Sequence, residues 1–176
     1  PGMTKKKRPT EWDVINKAIK CGPIPKKRDI SAWKTKPYDK LSKGEEVCRF
    51  ALDYLVVPEG PFQGEPLELN PFQVAFVLSV FDSKQHIRTA ILSVGRRNGK
   101  SALIGAILLA AIIGPTAVRN SVVASAALSR DQAGLVFRLM VLMLDNPDLA
   151  GLYKVVPSSK TIVGLKKNVH FHALAS

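Results

Sequence analysis

Over the first eighty residues the apolar positions recur at helical intervals; beyond residue 87 they gather into short runs separated by turns. Thr10 with Asp13 three residues later resembles a capping box, and Trp12, Ile15 and Ile19 then share one helical face. Gly22 and Pro23 end that short helix. Pro23, Pro25 and Pro37 are scattered among lysines over residues 22–41, which predicts an extended arm lying on another surface. A second helix is predicted from Ser42, with Glu45 completing a capping box. Val47, Phe50, Ala51, Tyr54 and Leu55 form its apolar stripe, and Pro58 stops it. After a loop at Gly60-Pro61 and Gly64, Asn70 caps a third helix with Pro71 at its first position. Phe72, Ala75, Phe76, Ser79 and Val80 are its expected inward side.

From residue 87 the period shortens. Ile87-Arg88-Thr89-Ala90-Ile91-Leu92-Ser93-Val94 reads as a mostly buried strand. A glycine-bearing turn follows, then an apolar helix over 100–113. Ser121 to Ala127 is the next strand. Arg130 to Leu144 is a helix with Ala133, Val136, Phe137, Met140, Val141 and Leu144 inward. Three short strands are expected around 152–156, 160–164 and 168–174. This order predicts an α/β fold: a largely parallel sheet flanked by helices, behind a helical, basic N-terminal segment. The most apolar stretch, Ala102 to Ile113, is far short of the roughly 20 residues a membrane span needs, so a buried helix is expected and no membrane partner. The Lys5-Lys6-Lys7-Arg8 run leads into no apolar core and makes no secretory signal. Pro1-Gly2 ahead of Met3 reads as a cloning scar.

Composition narrows the class. A chain of 176 residues suits one domain or a piece of a larger protein, and 46% hydrophobic with 23% charged residues is ordinary globular usage. Two cysteines, Cys21 and Cys48, exclude a disulfide framework and a four-cysteine zinc site. The net charge of +12 is uneven. Residues 1–43 carry 13 basic and 4 acidic side chains, and the rest carry 13 and 10. Such a field suits a polyanion, nucleic acid or an acidic protein surface; a solvated tail accounts for it equally well.

The chemistry concentrates in Gly95-Arg96-Arg97-Asn98-Gly99-Lys100-Ser101, between the predicted strand and the apolar helix. A phosphate-binding loop needs that context. Its backbone N–H groups must converge on the anion, so side chains are dispensed with at Gly95 and Gly99. The helix that follows adds its positive N-terminal end. Lys100 would face the β- and γ-phosphates, and the Ser101 hydroxyl would ligate Mg²⁺. The spacing departs from the usual pattern: three residues separate the glycines instead of four, and Val94 stands where the first glycine belongs. Arg96 and Arg97 could stabilise charge developing on a transferred phosphoryl group. Upstream, Gln73 opens the third helix, where its amide could pair with an adenine edge and so favour ATP.

Three segments together resemble the ATPase domain of large terminase subunits, the DNA-packaging motors of tailed bacteriophages. They are Leu69-Asn70-Pro71-Phe72-Gln73, the arginine-rich loop with three intervening residues, and Ala124-Ser125-Ala126-Ala127 with Asp131-Gln132-Ala133. The resemblance runs from about residue 42 to the end. It implies a RecA-like P-loop NTPase unit over 42–176, incomplete, behind a basic arm over 1–41. It implies ATP and Mg²⁺ as cofactors. Lys100 and Ser101 fall on the phosphate and magnesium positions, Arg96 on the loop arginine that acts in cis, and Gln73 on the adenine-contacting glutamine. It further implies double-stranded DNA, a portal protein and a small terminase subunit as partners, and a homo-oligomeric ring. A metal-dependent, RNase H-like nuclease follows in such proteins, which work in the cytoplasm of the infected host and at the capsid portal.

Hydrolysis in this class needs an acidic strand end, one Asp for Mg²⁺ and a Glu to position water. After Ser101 the carboxylates are Asp131, Asp145 and Asp148, and none follows an apolar strand. An N-terminal fragment without efficient turnover or cutting activity is therefore expected. Two alternatives stand beside the motor: another ATP-dependent translocase or helicase, and a non-catalytic fragment docking through its basic arm. His170 and His172 share a strand face, and a surface pair is expected there in place of a zinc site.

Overall fold

The computed structural model describes residues 31–127 and 129–175. The helix expected from residue 10, and Cys21, lie outside them. Helix α1 spans Lys43–Tyr54 and opens with the expected capping box. The Ser42 hydroxyl accepts from the Glu45 N–H at 3.3 Å, and the Glu45 carboxylate accepts from the Ser42 N–H at 3.0 Å. Its inward stripe is Val47, Cys48, Phe50, Ala51 and, just past the helix end, Leu55; Tyr54 is half-buried.

Helix α2 spans Pro71–Phe81, and every residue from Gln73 to Leu78 is buried. It is encased, not merely amphipathic, so its apolar residues surround the axis instead of forming the single stripe expected. At its C-terminal end Asp82 accepts from the Ser42 hydroxyl at 2.7 Å and from the Gly44 N–H at 2.8 Å. The end of α2 thereby caps the start of α1, and a carboxylate suits a helix N-terminus.

Of the stretch expected to form an extended arm, residues 31–41 are described, and they turn back on α1. Two 3-10 turns, Ala32–Lys34 and Tyr38–Lys40, fold against it. Trp33 is 1% exposed and belongs to the core, so contacts cross the boundary expected after residue 41. Arg49 of α1 donates to the Trp33 and Lys34 carbonyls at 3.0 and 2.7 Å. Lys36 pairs with the buried Glu45 carboxylate at 2.8 Å. Desolvation, then the hydrogen bond to Asp53 and that carboxylate's charge, push the Tyr38 phenol above the ordinary tyrosine range, although the residue is 49% exposed.

The remaining elements are α3 (Lys100–Ile112), β1 (Val122–Ala127), α4 (Arg130–Met143), β2 (Tyr153–Val156), β3 (Thr161–Gly164) and β4 (Val169–Ala175). The strands form one sheet in the order β1-β4-β3-β2. Helices flank a sheet as expected for an α/β fold, but the sheet is mixed and not largely parallel. β1 and β4 are parallel, with Val122 opposite His170 and Ala127 opposite Ala175. The β2–β3 and β3–β4 pairs are antiparallel. Chain length explains the difference. Residues 157–160 and 165–168 are too few for a parallel crossover, whereas α4 and two strands lie between β1 and β4.

Helices α3 and α4 pack on each other, and both reach β4. Leu103, Leu109 and Ile112 of α3 meet Met140 and Met143 of α4 and Phe171 of β4 in the core, all essentially without solvent exposure. Each such side chain contributes about 1.5–3 kcal/mol of burial. Gly164 is where β3 passes the end of α3: a Cβ there would stand 2.2 Å from the Ile112 carbonyl oxygen.

The segment 87–94 is the clear departure. It forms no strand; Ile87 is 39% and Ile91 79% exposed. An alternating apolar segment becomes a strand only where a neighbour takes up its N–H and C=O groups. Among the described residues no strand pairs with it.

Candidate nucleotide-binding site

Residues 95–99 form a turn of exposed backbone, and α3 starts immediately after it, at Lys100. Two residues here have positive φ, Arg97 at 63° and Gly99 at 66°. Left-handed residues interspersed in a turn curl successive N–H groups toward one side, the geometry of an anion nest. Gly99 is the N-cap of α3. The first helical bond runs from the Leu103 N–H to the Gly99 carbonyl at 2.9 Å. The N–H groups of Lys100, Ser101 and Ala102 precede that bond and face the open end of the helix.

The Lys100 ammonium folds back over the turn. It donates to the Val94 and Gly95 carbonyls, both at 2.7 Å. The Asn98 amide donates to the Arg96 carbonyl at 3.3 Å and lies 3.2 Å from where a Cβ on Gly95 would be. Arg96 and Arg97 are exposed, and Ser101 is half-buried in the first turn of α3. The structure therefore brings Gly95, Arg96, Arg97, Asn98, Gly99, Lys100 and Ser101 together in one turn at a helix start, despite the missing spacer residue.

Gln73 also arrives at this turn, with both ends of its carboxamide on the backbone. It is 4% exposed. Its Oε1 accepts from the Asn70 N–H at 2.9 Å, and its Nε2 donates to the Gly99 carbonyl at 3.2 Å. Each end of the carboxamide thus has a protein partner, and little of the side chain is left for a base to touch. Sequence reasoning found the residue and missed the contact. The capping pattern at Asn70 was the available signal, since a glutamine three residues into a helix folds back on the cap.

Asp131 and Gln132 are exposed at the start of α4, where the Ser129 hydroxyl accepts from the Gln132 N–H at 3.3 Å. Asp145 and Asp148 lie beyond the other end of that helix. The histidines behave as a strand-surface pair. Their rings stack at 6.3 Å, His170 with Asn168 and His172 with Thr161 as neighbours. Among the described residues no group of three or more His, Cys, Asp and Glu could hold a metal ion. Among the same residues no helix is long and apolar enough to cross a membrane.

The chain is similar to known proteins in sequence and in fold. The family model described as "Terminase large subunit, ATPase domain" matches residues 71–169, more than half the chain. The chain is 44% identical over 137 residues to the terminase large subunit of Enterobacteria phage HK97, covering 77% of this chain and 27% of that protein. The crystal structure of the HK97 bacteriophage large terminase superposes with a TM-score of 0.72 at 43% identity, over 77% of this chain and 28% of the other. The chain thus spans about a quarter of the length of these relatives.

Proposed function

The chain belongs to the terminase large subunit ATPase-domain family, and from that premise we propose that residues 95–101 bind the phosphates of ATP with Mg²⁺. In this reading they form part of a motor that drives double-stranded DNA into a capsid. The observation that carries it is the turn at 95–99, with its two left-handed residues, feeding straight into the N-terminus of α3 beneath the Lys100 ammonium. The N–H groups at the start of α3 together with the Lys100 ammonium form a donor set suited to a polyphosphate.

The roles follow from position. The N–H groups of residues 96–101 hold the phosphate oxygens. Lys100 exchanges its two carbonyl partners for the β- and γ-phosphates. The Ser101 hydroxyl, on the first turn, holds Mg²⁺, which when bound neutralises charge between those phosphates. Arg96, exposed on the turn, would swing toward a transferred phosphoryl group, and Arg97, exposed beside it, adds positive charge near the phosphates. Asp131, Asp145 and Asp148 do not end a buried strand, so this stretch alone binds nucleotide without efficient turnover. In the full-length protein we assign double-stranded DNA, a portal protein, a small terminase subunit and a ring of like subunits as partners. A nuclease then belongs to the rest of the protein, and the host cytoplasm and the capsid portal are its places of work.

Lys100→Ala tests this reading. Calorimetric titration with Mg²⁺-ATP should show affinity lost by at least about tenfold, the scale of one charge-assisted contact removed. Unchanged affinity would rule the loop out as the phosphate site.

A further inference from the structure

We propose that Gln73 is a positioning residue: a strut from α2 that aims the exit of the phosphate loop, rather than a reader of the nucleotide base. The proposal rests on the reading of residues 95–101 as a phosphate loop.

The Gly99 carbonyl receives two donors, the Leu103 N–H at 2.9 Å and the Gln73 amide at 3.2 Å. Both directions in which that oxygen accepts are filled, so the peptide plane between Gly99 and Lys100 has little freedom to rotate. In a trans peptide the C=O and the next N–H point in opposite directions. Tying the Gly99 carbonyl toward Gln73 and the helix therefore turns the Lys100 N–H outward, to the open end of α3 where an anion would sit. The tie is anchored on both sides. The other end of the carboxamide is held by the Asn70 N–H at 2.9 Å, and α2 itself is buried from Gln73 to Leu78.

The side-chain bonds from Asn98 and Lys100 stay within the turn, so they shape it without connecting it to the body of the protein. Gln73 makes that connection. The approach is close enough that a Cβ on Gly99 would stand 2.9 Å from the Gln73 Nε2. Glycine at 99 serves two demands at once, the left-handed φ of 66° and the space the strut occupies.

Two substitutions separate a strut from a base contact. Gln73→Glu keeps the oxygen that accepts from Asn70, so the cap survives, but sets an oxygen against the Gly99 carbonyl. Gln73→Met is neutral, of similar length, and loses both bonds. The whole chain is titrated calorimetrically with Mg²⁺-ATP and with inorganic tripolyphosphate, which has no base. The strut predicts that both variants lose affinity for both ligands by the same factor, about tenfold. It also predicts faster amide hydrogen exchange at Leu103, whose N–H bonds the Gly99 carbonyl, in both variants without any ligand, a readout independent of binding. Loss of ATP affinity with tripolyphosphate unaffected would overturn the proposal in favour of base recognition. A fall confined to Gln73→Glu would overturn it as a charge effect, and unchanged affinities would overturn it outright. Lys100→Ala, run in parallel, reports on the loop itself: tripolyphosphate binding that survives it sinks the phosphate-loop reading, whatever Gln73 does.

Discussion

At Arg97 the backbone conformation and the residue type are at odds. Its φ of 63° belongs to a region where an L side chain costs roughly 1–2 kcal/mol relative to a right-handed helical conformation. The neighbouring left-handed position is filled by glycine, which pays no such penalty. The guanidinium is exposed, so its loss leaves no buried group unpaired. Arg97→Gly is therefore expected to raise the stability of the chain by about 1 kcal/mol, seen as a higher urea midpoint at unchanged slope. A lower midpoint would mean that the guanidinium itself anchors the turn. The same substitution should weaken ATP binding if that charge reaches the phosphates, so stability and affinity should move in opposite directions.

The interplay of elements is clearest where α2 ends and α1 begins. Each helix has its own capping residues, read from the sequence, but Asp82 joins the two by accepting from Ser42 and from Gly44. Asp82→Ala leaves the Gly44 N–H at a helix start without its carboxylate and should cost about 1–2 kcal/mol in chemical denaturation. Asp82→Asn, which keeps an acceptor, should recover part of the loss. Because α2 also carries Gln73, loosening its seat should lower ATP affinity slightly in the Ala variant, although Asp82 lies at the far end of the helix. No change in the denaturation midpoint would show that the two caps act independently.

For the whole molecule the charge distribution sets the testable behaviour. Most of the excess positive charge sits in residues 1–43, and residues 1–30 alone hold nine basic and three acidic side chains. If these residues grip duplex DNA through its phosphates, affinity falls as a power of salt concentration, with a slope of about −0.9 for each phosphate neutralised. Removing residues 1–30 should flatten that slope by several units, measured by fluorescence anisotropy across a salt series. An unchanged slope would move the DNA contact to the body of the protein. Residues 31–41 should be left in place, since Trp33 is part of the core and its removal would open a cavity beneath α1.

The local signals in the chain were sufficient for what depends on neighbours in sequence. Ser42 and Asn70 opened helices, the Gly95–Ser101 run made a turn into a helix, and β2, β3 and β4 fell close to where alternation placed them. Those features are set by propensity, capping and side-chain period, all of which act over a few residues. Tertiary structure decided the rest. Ile87–Val94 has the period of a strand but no neighbour to accept its backbone bonds, so the pattern stayed unrealised. Trp33, in a proline-bearing stretch, became core because α1 offered a surface to cover. Gln73 found the Gly99 carbonyl, 26 residues away, only once α1 had gathered α2 and α3 against it. A hydrogen bond across that separation is written in no local pattern; it exists because the fold buries the Gln73 amide beside the loop, where leaving it unpaired would be costly.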